Sequence, residues 1–302
     1  MPISLFLTGA NGYLGRHLAE LLDPREFARI VCLVRNTTPP RPNIETVVAE
    51  LSEPHRYSEA LSRCDTVIHL AAATGKLPRK EYFRVNEEGT RCLVDACRKA
   101  GVKQFLHVST IAVQFKDIRN YHYADSKRAA ERIVTASGMA WCIVRPTMIF
   151  GKGAPVLEGL TRLASAPVVP VFGDGRALVQ PVFVDDLARM LLEIVRQGAF
   201  DGQILEAGGP CAMAIQDLLG TIRRVLLNKP ARFLHLPARP IAALLALSEK
   251  VLLPLMPLTA GQLATFTNDG SAPQNSLGEQ WKVNPKSVEE VLGSLAHELR
   301  RA

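Results

Sequence analysis

Tyr123 and Lys127, in the run YHYADSKRAAE, stand four residues apart. On a helix that spacing puts both side chains on one face. A phenol is a poor acid or base at neutral pH, with an ordinary pKa near ~10. A neighbouring ammonium favours the phenolate and brings the group towards useful proton transfer. Y-x-x-x-K alone is a common pattern, so position must decide. The expected helix follows a strand ending in HVST, where Ser109 and Thr110 each offer a hydroxyl to hold a substrate oxygen. Tyr121 is nearby, but Asp125 occupies the place where its lysine would stand.

A second chemical signal lies in LFLTGANGYLGRHLAELL, residues 5–22, where a strand runs into Gly9 and glycines recur at Gly12 and Gly15 before an amphipathic helix. A tight turn, a close backbone approach to a pyrophosphate and a helix packed on a sheet each call for a residue without Cβ. The helix start then offers unpaired N–H groups to phosphate oxygens. The spacing is G-x-x-G-x-x-G, a variant of the usual dinucleotide fingerprint; an isolated glycine turn is the plain alternative. Some twenty residues further on, where a carboxylate would grip a ribose 2′-hydroxyl, the sequence reads CLVRN with Arg35. A guanidinium binds a 2′-phosphate with forked hydrogen bonds, which favours NADP(H), with NAD(H) the alternative and a solvated surface arginine the bland reading.

These residues need a parallel sheet to position them. Short β-branched runs at Ile3–Thr8, Arg29–Val34, Thr46–Ala49, Thr66–Leu70, Gln104–Val108 and Ala140–Arg145 alternate with helical patterns at Gly12–Leu22, Tyr57–Arg63, Arg79–Ala100 and Tyr123–Ser137. That alternation predicts a doubly wound α/β sheet covered on both faces, with ligands beyond the carboxyl ends of its strands. Prolines and glycines punctuate residues 151–181, Val182–Arg196 reads as strand then helix, Ile204–Ala207 as a strand, and the chain from about Met213 as helical. His69 and His107 read as packed core histidines and His122 as a solvated one. Asp185 and Asp186 read as a structural pair at a helix start rather than as an acid/base pair, and Gly173-Asp174-Gly175 as a turn.

With 302 residues, 47% hydrophobic and 22% charged, the composition is that of a soluble globular protein. A net charge of +7 is spread without a basic block, which speaks against nucleic-acid binding. Six cysteines form no C-x-x-C pair and no metal-site spacing with histidine, so free thiols, no metal and a reducing, cytoplasmic compartment are expected. No signal peptide is read at the N-terminus. The apolar stretch Ile241–Leu258 is interrupted by Glu249, Lys250, Pro254 and Pro257, so no membrane span is expected there. Its apolar face reads as packing over the substrate cleft, with peripheral contact with a membrane or a partner as the alternative.

TGANGYLG, HLAAAT, VNEEGT, HVST, YADSK and RPTMIFG, with FGDGRALVQPVFVDDLA later, resemble in order and spacing the motifs of extended short-chain dehydrogenases/reductases, including the NAD(P)-dependent epimerase/dehydratase group. PLTAGQLATFTNDG and VNPKSVEEVL are similar to the branch related to the NADPH-binding accessory subunit of respiratory complex I. The resemblance implies Tyr123 as proton donor or acceptor, Lys127 on the nicotinamide ribose and in support of the phenolate, and Thr110 as the oxygen-holding hydroxyl. It implies cofactor contacts from Gly9, Asn11, Gly12, Tyr13, Leu14 and Gly15, and from Glu50 and Leu51 in place of an Asp-Leu pair near the adenine. Ala71, Ala72 and Ala73 would flank the cofactor, and the segment from Pro146 to Ile149 would pass the carboxamide. Asn86 reads either as a bridge from helix to strand backbone or as an ordinary helical residue.

The fold implied is a Rossmann domain over residues 1–150, rejoined by 178–207, with a smaller, mostly helical substrate lobe from 151–177 and 208–302. The activity implied is an NADP(H)-dependent oxidoreductase acting on a small, apolar carbonyl or alcohol, as a monomer or homodimer. The alternatives are a nucleotide-sugar epimerase or dehydratase holding its NAD(P) tightly, and a non-catalytic NADP(H)-binding assembly subunit.

Overall fold

The computed structural model describes residues 2–36, 43–252, 256 and 258–299. Strands β1 (Ile3–Thr8), β2 (Phe27–Val34), β3 (Glu45–Val48), β4 (Thr66–His69), β5 (Gln104–Val108) and β6 (Ala140–Pro146) pair in parallel in the order 3-2-1-4-5-6. The strand Gln203–Ala207 adds a seventh member beside β6. The order reverses between β1 and β4, which opens a crevice at the carboxyl ends of these two strands.

The strands form where apolar residues, many of them β-branched or aromatic, follow one another, because the central strands of a sheet covered on both faces bury consecutive positions, as residues 5–8 of β1 and 30–34 of β2 do. Phe6, Val31, Val67, Phe105 and Ile143 from five strands share one core with Tyr57, Leu61, Leu93, Cys97 and Val134 from the covering helices. Those helices are α1 (Tyr13–Leu21), α2 (Pro54–Leu61), α3 (Arg79–Tyr82), α4 (Gly89–Ala100) and α5 (His122–Thr135). The expected single helix over Arg79–Ala100 is in fact α3 and α4 joined by a π-helical turn, Phe83–Glu88. Such turns insert one residue into the helical repeat and often serve a site.

The chain divides into two compact units. The first comprises Met1–Thr110, Tyr123–Arg145 and Ala188–Leu205. The second comprises Ile111–His122, Pro146–Leu187 and Glu206–Ala302. The second unit thus also takes in residues 111–122, 146–150, 178–187 and 206–207, which the sequence assigns to the nucleotide-binding half. Packing explains the transfer. A Cβ placed on Gly270 would touch Phe115 and Ile111, and one on Gly261 would meet Tyr121. Within the second unit, helices Pro155–Ala164, Ile215–Leu227, Ala238–Leu252 and Val288–Leu299 accompany three two-stranded sheets. The buried Arg223 donates to the carbonyls of Ala164, Ala166 and Pro230 and so ties two of these helices together.

Among the described residues no helix is long and apolar enough to cross a membrane. Pro254 and Pro257, which interrupt the apolar stretch in the sequence, lie outside the described residues. Cys32, Cys64, Cys97 and Cys142 are buried free thiols, Cys92 is half-buried and Cys211 exposed. Burial pushes Cys64 and Cys142 up to about 12, which keeps them unreactive at neutral pH.

Candidate active site

The glycine loop is built by steric demand. Gly9 has φ +75°, and a Cβ there would lie 2.6 Å from the Ala71 nitrogen at the end of β4. A Cβ on Gly15 would lie 2.1 Å from the Gly9 carbonyl oxygen. Larger residues would therefore part the β1 turn from β4 and lift α1 off the loop. The Gly12 amide donates to the Gly9 carbonyl at 2.9 Å. Among the described residues no side chain caps the first amides of α1, and its first turn holds no acidic residue. An uncapped helix start beside a cradle that a single Cβ would fill suits a pyrophosphate. Asn11 and Gly12 are exposed, Gly9 and Tyr13 half-buried, and Leu14 buried. The Tyr13 ring meets His17 one turn on, with centroids 5.2 Å apart.

Arg35 directly follows β2 and is exposed. Glu50 is exposed and pairs with Arg84 at 3.2 Å, so part of its carboxylate is already engaged. The carbonyl of Leu51 accepts from the Tyr57 hydroxyl at 2.8 Å, and the Leu51 side chain lies against Gly89 at the start of α4.

After β4, the Ala71 amide donates to the Thr8 hydroxyl at 3.2 Å. Ala72 is half-buried and follows directly. Asn86, carried on the π-helical turn and 1% exposed, accepts from the Ala73 amide at 2.7 Å and donates to the Ala73 carbonyl at 3.1 Å. It also donates to the Ser126 hydroxyl at 2.9 Å, and Ser126 donates to the Tyr123 carbonyl. Asn86 is thus the bridge, not an ordinary helical residue. It links the loop after β4 to the first turn of α5.

Tyr123 and Lys127 both lie on α5, in the same unit as the glycine loop. Tyr123 is half-buried, with its ring centroid 6.2 Å from that of Tyr82. Lys127 is buried, and its Nζ donates to the Val108 carbonyl at 2.7 Å and lies 3.2 Å from His107 Nε2. Thr110, half-buried, follows the buried Ser109 just past β5. Arg145 on β6 grips Glu131 on α5 with bonds of 2.9 and 2.7 Å, which fixes the helix against the sheet.

The electrostatics run opposite to the expectation that Lys127 would lower the phenol. Burial, with Tyr82 adding, pushes Tyr123 up to about 12. Burial lowers Lys127 to about 7, against a raising contribution from Glu131. Sequence spacing supplied the ammonium and left out the cost of removing both groups from water.

Pro146 and Ile149 belong to the second unit, apart from the other expected cofactor residues. Pro146 is buried, and Ile149 pairs with Val182 in a short parallel ladder. Asp186 is buried and accepts from the Lys286 amide at 2.8 Å, a structural tie. His69 and His107 are both fully buried, as expected. The network around Lys127, which holds His107, was not foreseen.

A glycine cradle at the switch point of a 3-2-1-4-5-6 sheet marks a dinucleotide-binding protein. The chain belongs to the NAD dependent epimerase/dehydratase family, whose description matches residues 5–208. It is 33% identical over 194 residues to the ceramide reductase of Caulobacter vibrioides, a match covering 63% of this chain and 60% of that one. It is 30% identical over 176 residues to a 3-beta-hydroxysteroid dehydrogenase of Mycolicibacterium neoaurum, covering 49% of this chain and 48% of that one. The chain therefore spans less than two thirds of either relative. In fold it resembles a dTDP-glucose 4,6-dehydratase from Streptomyces venezuelae solved with NAD bound, with TM-score 0.73 and 18% identity over 99% of this chain and 97% of that one.

Proposed function

We propose that this protein is an NADP(H)-dependent oxidoreductase that interconverts a carbonyl and an alcohol on an apolar small molecule. The observation that carries the reading is the presence, in one compact unit, of the glycine cradle and of Tyr123 and Lys127 on the helix that follows β5. When bound, the nicotinamide supplies or accepts the hydride. The chain's own residues do the rest. The α1 amides hold the pyrophosphate and Arg35 meets the 2′-phosphate. Thr110 holds the reacting oxygen, and the Tyr123 hydroxyl gives or takes the proton. A phenol near 12 is protonated at neutral pH, which is the form required for donating a proton to an alkoxide in the reductive direction.

Two observations support an apolar substrate. Two of the matched relatives are named for ceramide and 3-beta-hydroxysteroid chemistry, beside a UDP-glucose 4-epimerase. The helix Ala238–Leu252 in the second unit is rich in leucine and alanine, with Leu244 and Leu247 exposed. The proposed role of the second unit is to hold that substrate.

Titration with NADPH and NADH, then a panel of carbonyls and alcohols followed by absorbance of the reduced nicotinamide, tests the proposal. NADPH should bind more tightly than NADH, and lipid-like ketones should turn over. Tyr123→Phe should cut turnover by at least about a hundredfold, the lower end for a lost general acid, while NADPH binding persists. Unchanged turnover in that variant refutes the assignment of Tyr123. Binding of NADPH with no turnover of any carbonyl refutes the enzymatic reading.

A further inference from the structure

We infer that His107 is a positioning residue that holds Lys127 in place through its Nε2 atom. Two buried histidines lie side by side on neighbouring strands, their rings 5.2 Å apart, yet their hydrogen-bond accounts differ. The Thr90 hydroxyl donates its only hydrogen to the Asn86 carbonyl at 2.6 Å, so towards His69 it must accept. His69 is therefore protonated on Nε2, and its Nδ1 accepts from the Thr8 hydroxyl at 2.7 Å. Both nitrogens of His69 are satisfied.

His107 is satisfied on one side only. Among the described residues its Nδ1 is buried without a hydrogen-bond partner, whereas its Nε2 lies 3.2 Å from Lys127 Nζ. Below its pKa of about 7 Lys127 is an ammonium with donors only, so there Nε2 must accept and the ring proton must sit on Nδ1. The position is otherwise apolar: Phe105, Leu106 and Val108 on the same strand are buried too. An aliphatic side chain there would leave no polar atom stranded. What the imidazole adds is an acceptor for the lysine, beside the Val108 carbonyl that receives a second hydrogen at 2.7 Å. Glu131, one turn further along α5, is the charged group that favours the ammonium. His69, on the neighbouring strand, feels the same charge as a lowering of its own pKa. The proton on Nδ1 is thus the mark of a ring held in one tautomer by the lysine.

The inference rests on the proposed function only in giving Lys127 a part in the reaction; its structural half can be read without turnover. In the full chain labelled with 15N-histidine, at about pH 6 where Lys127 is charged, the His107 resonances should report a proton on Nδ1 and none on Nε2, and the Nε2 shift should move in Lys127→Met. For activity, His107→Leu should lower kcat by about 10- to 100-fold, the range for losing a hydrogen bond to a charged group. His107→Gln, whose amide oxygen can accept at the Nε2 position, should restore most of that loss. Placed on top of Lys127→Met, His107→Leu should cost less than about twofold more, because the two residues act as one unit. A proton on Nε2 in the unsubstituted protein, a signal indifferent to Lys127→Met, or equal losses in both backgrounds overturns the inference. If no carbonyl is turned over at all, the proposed function fails, and the tautomer measurement alone decides this inference.

Discussion

Lowering the pH from 7 to 5 should strip the folded state of about 4 kcal/mol, through His69 and His107 alone. Burial, with Lys127 adding, lowers His69 to about 3 and His107 well below the ordinary histidine value. In the unfolded chain each imidazole titrates near ~6.5. Between these limits the unfolded state binds more protons, so stability is complete above ~6.5 and falls with pH until the folded values are reached. At pH 5 each ring should contribute about 2 kcal/mol of this loss relative to pH 7. Lys127 adds little within the window, because its folded value already lies at about 7. Asp23 and Asp117, held down to about 2 by Arg25 and Arg119, act only at lower pH. Since a domain's whole stability is about 5–15 kcal/mol, a loss of that size is plain in urea unfolding at constant ionic strength. His107→Leu should halve the difference between the two pH values. A loss below about 1 kcal/mol in the unsubstituted chain, or an unreduced loss in His107→Leu, would refute neutral burial of these rings.

Gly15→Ala places a methyl 2.1 Å from the Gly9 oxygen. It should weaken NADPH at least about tenfold by calorimetry and cost about 1–3 kcal/mol in urea unfolding. Arg35→Ser should raise the Kd for NADPH about 10- to 100-fold, the worth of a hydrogen bond to a charged group, and leave NADH within about twofold. Equal effects on both cofactors would place Arg35 away from the 2′-phosphate. Glu131→Gln removes the ion pair of Glu131 with the Arg145 guanidinium, whose side chain is 16% exposed. It should cost about 3 kcal/mol, read as a fall in Tm that added salt does not reproduce.

The central sheet was legible because its strands are four to eight residues long and mostly apolar, with β-branched or aromatic residues in each, long enough for a pattern to register. The two-residue strands Ile149–Phe150 and Val182–Phe183 left no such trace; only their pairing defines them. The π-helical turn was hidden for another reason. The sequence VNEEGT reads as continuous helix, and the extra residue is stabilised from outside, by Asn86 against the Ala73 backbone. Glycine spacing announced the cradle, since only steric exclusion demands three residues without Cβ there. The burial of His107 was legible from its strand, but its contact with Lys127, twenty residues on, depends on how α5 lies across β5. Asp186 was read correctly as structural, yet its partner amide at Lys286 is a hundred residues away.

The family resemblance asks Lys127 for two services, a hydrogen bond to the nicotinamide ribose and support of the Tyr123 phenolate. An ammonium has three hydrogens, and β5 already takes two, one at the Val108 carbonyl and one at His107 Nε2. While both contacts hold, one hydrogen remains, so the ribose and the phenol cannot both be served directly. Of the two standing bonds, the 3.2 Å contact to a neutral ring nitrogen is weaker than the 2.7 Å contact to a carbonyl. With His107 holding the amine in place, the remaining hydrogen serves the ribose or the phenol, not both. If the ribose takes it, no ammonium hydrogen is left for the phenol, whose hydroxyl, at about 12, is protonated at neutral pH. In the reductive direction of the proposed reaction that is no handicap, because the protonated phenol would be the proton donor. In the oxidative direction it is one, since the phenolate must form before the alcohol can lose its proton.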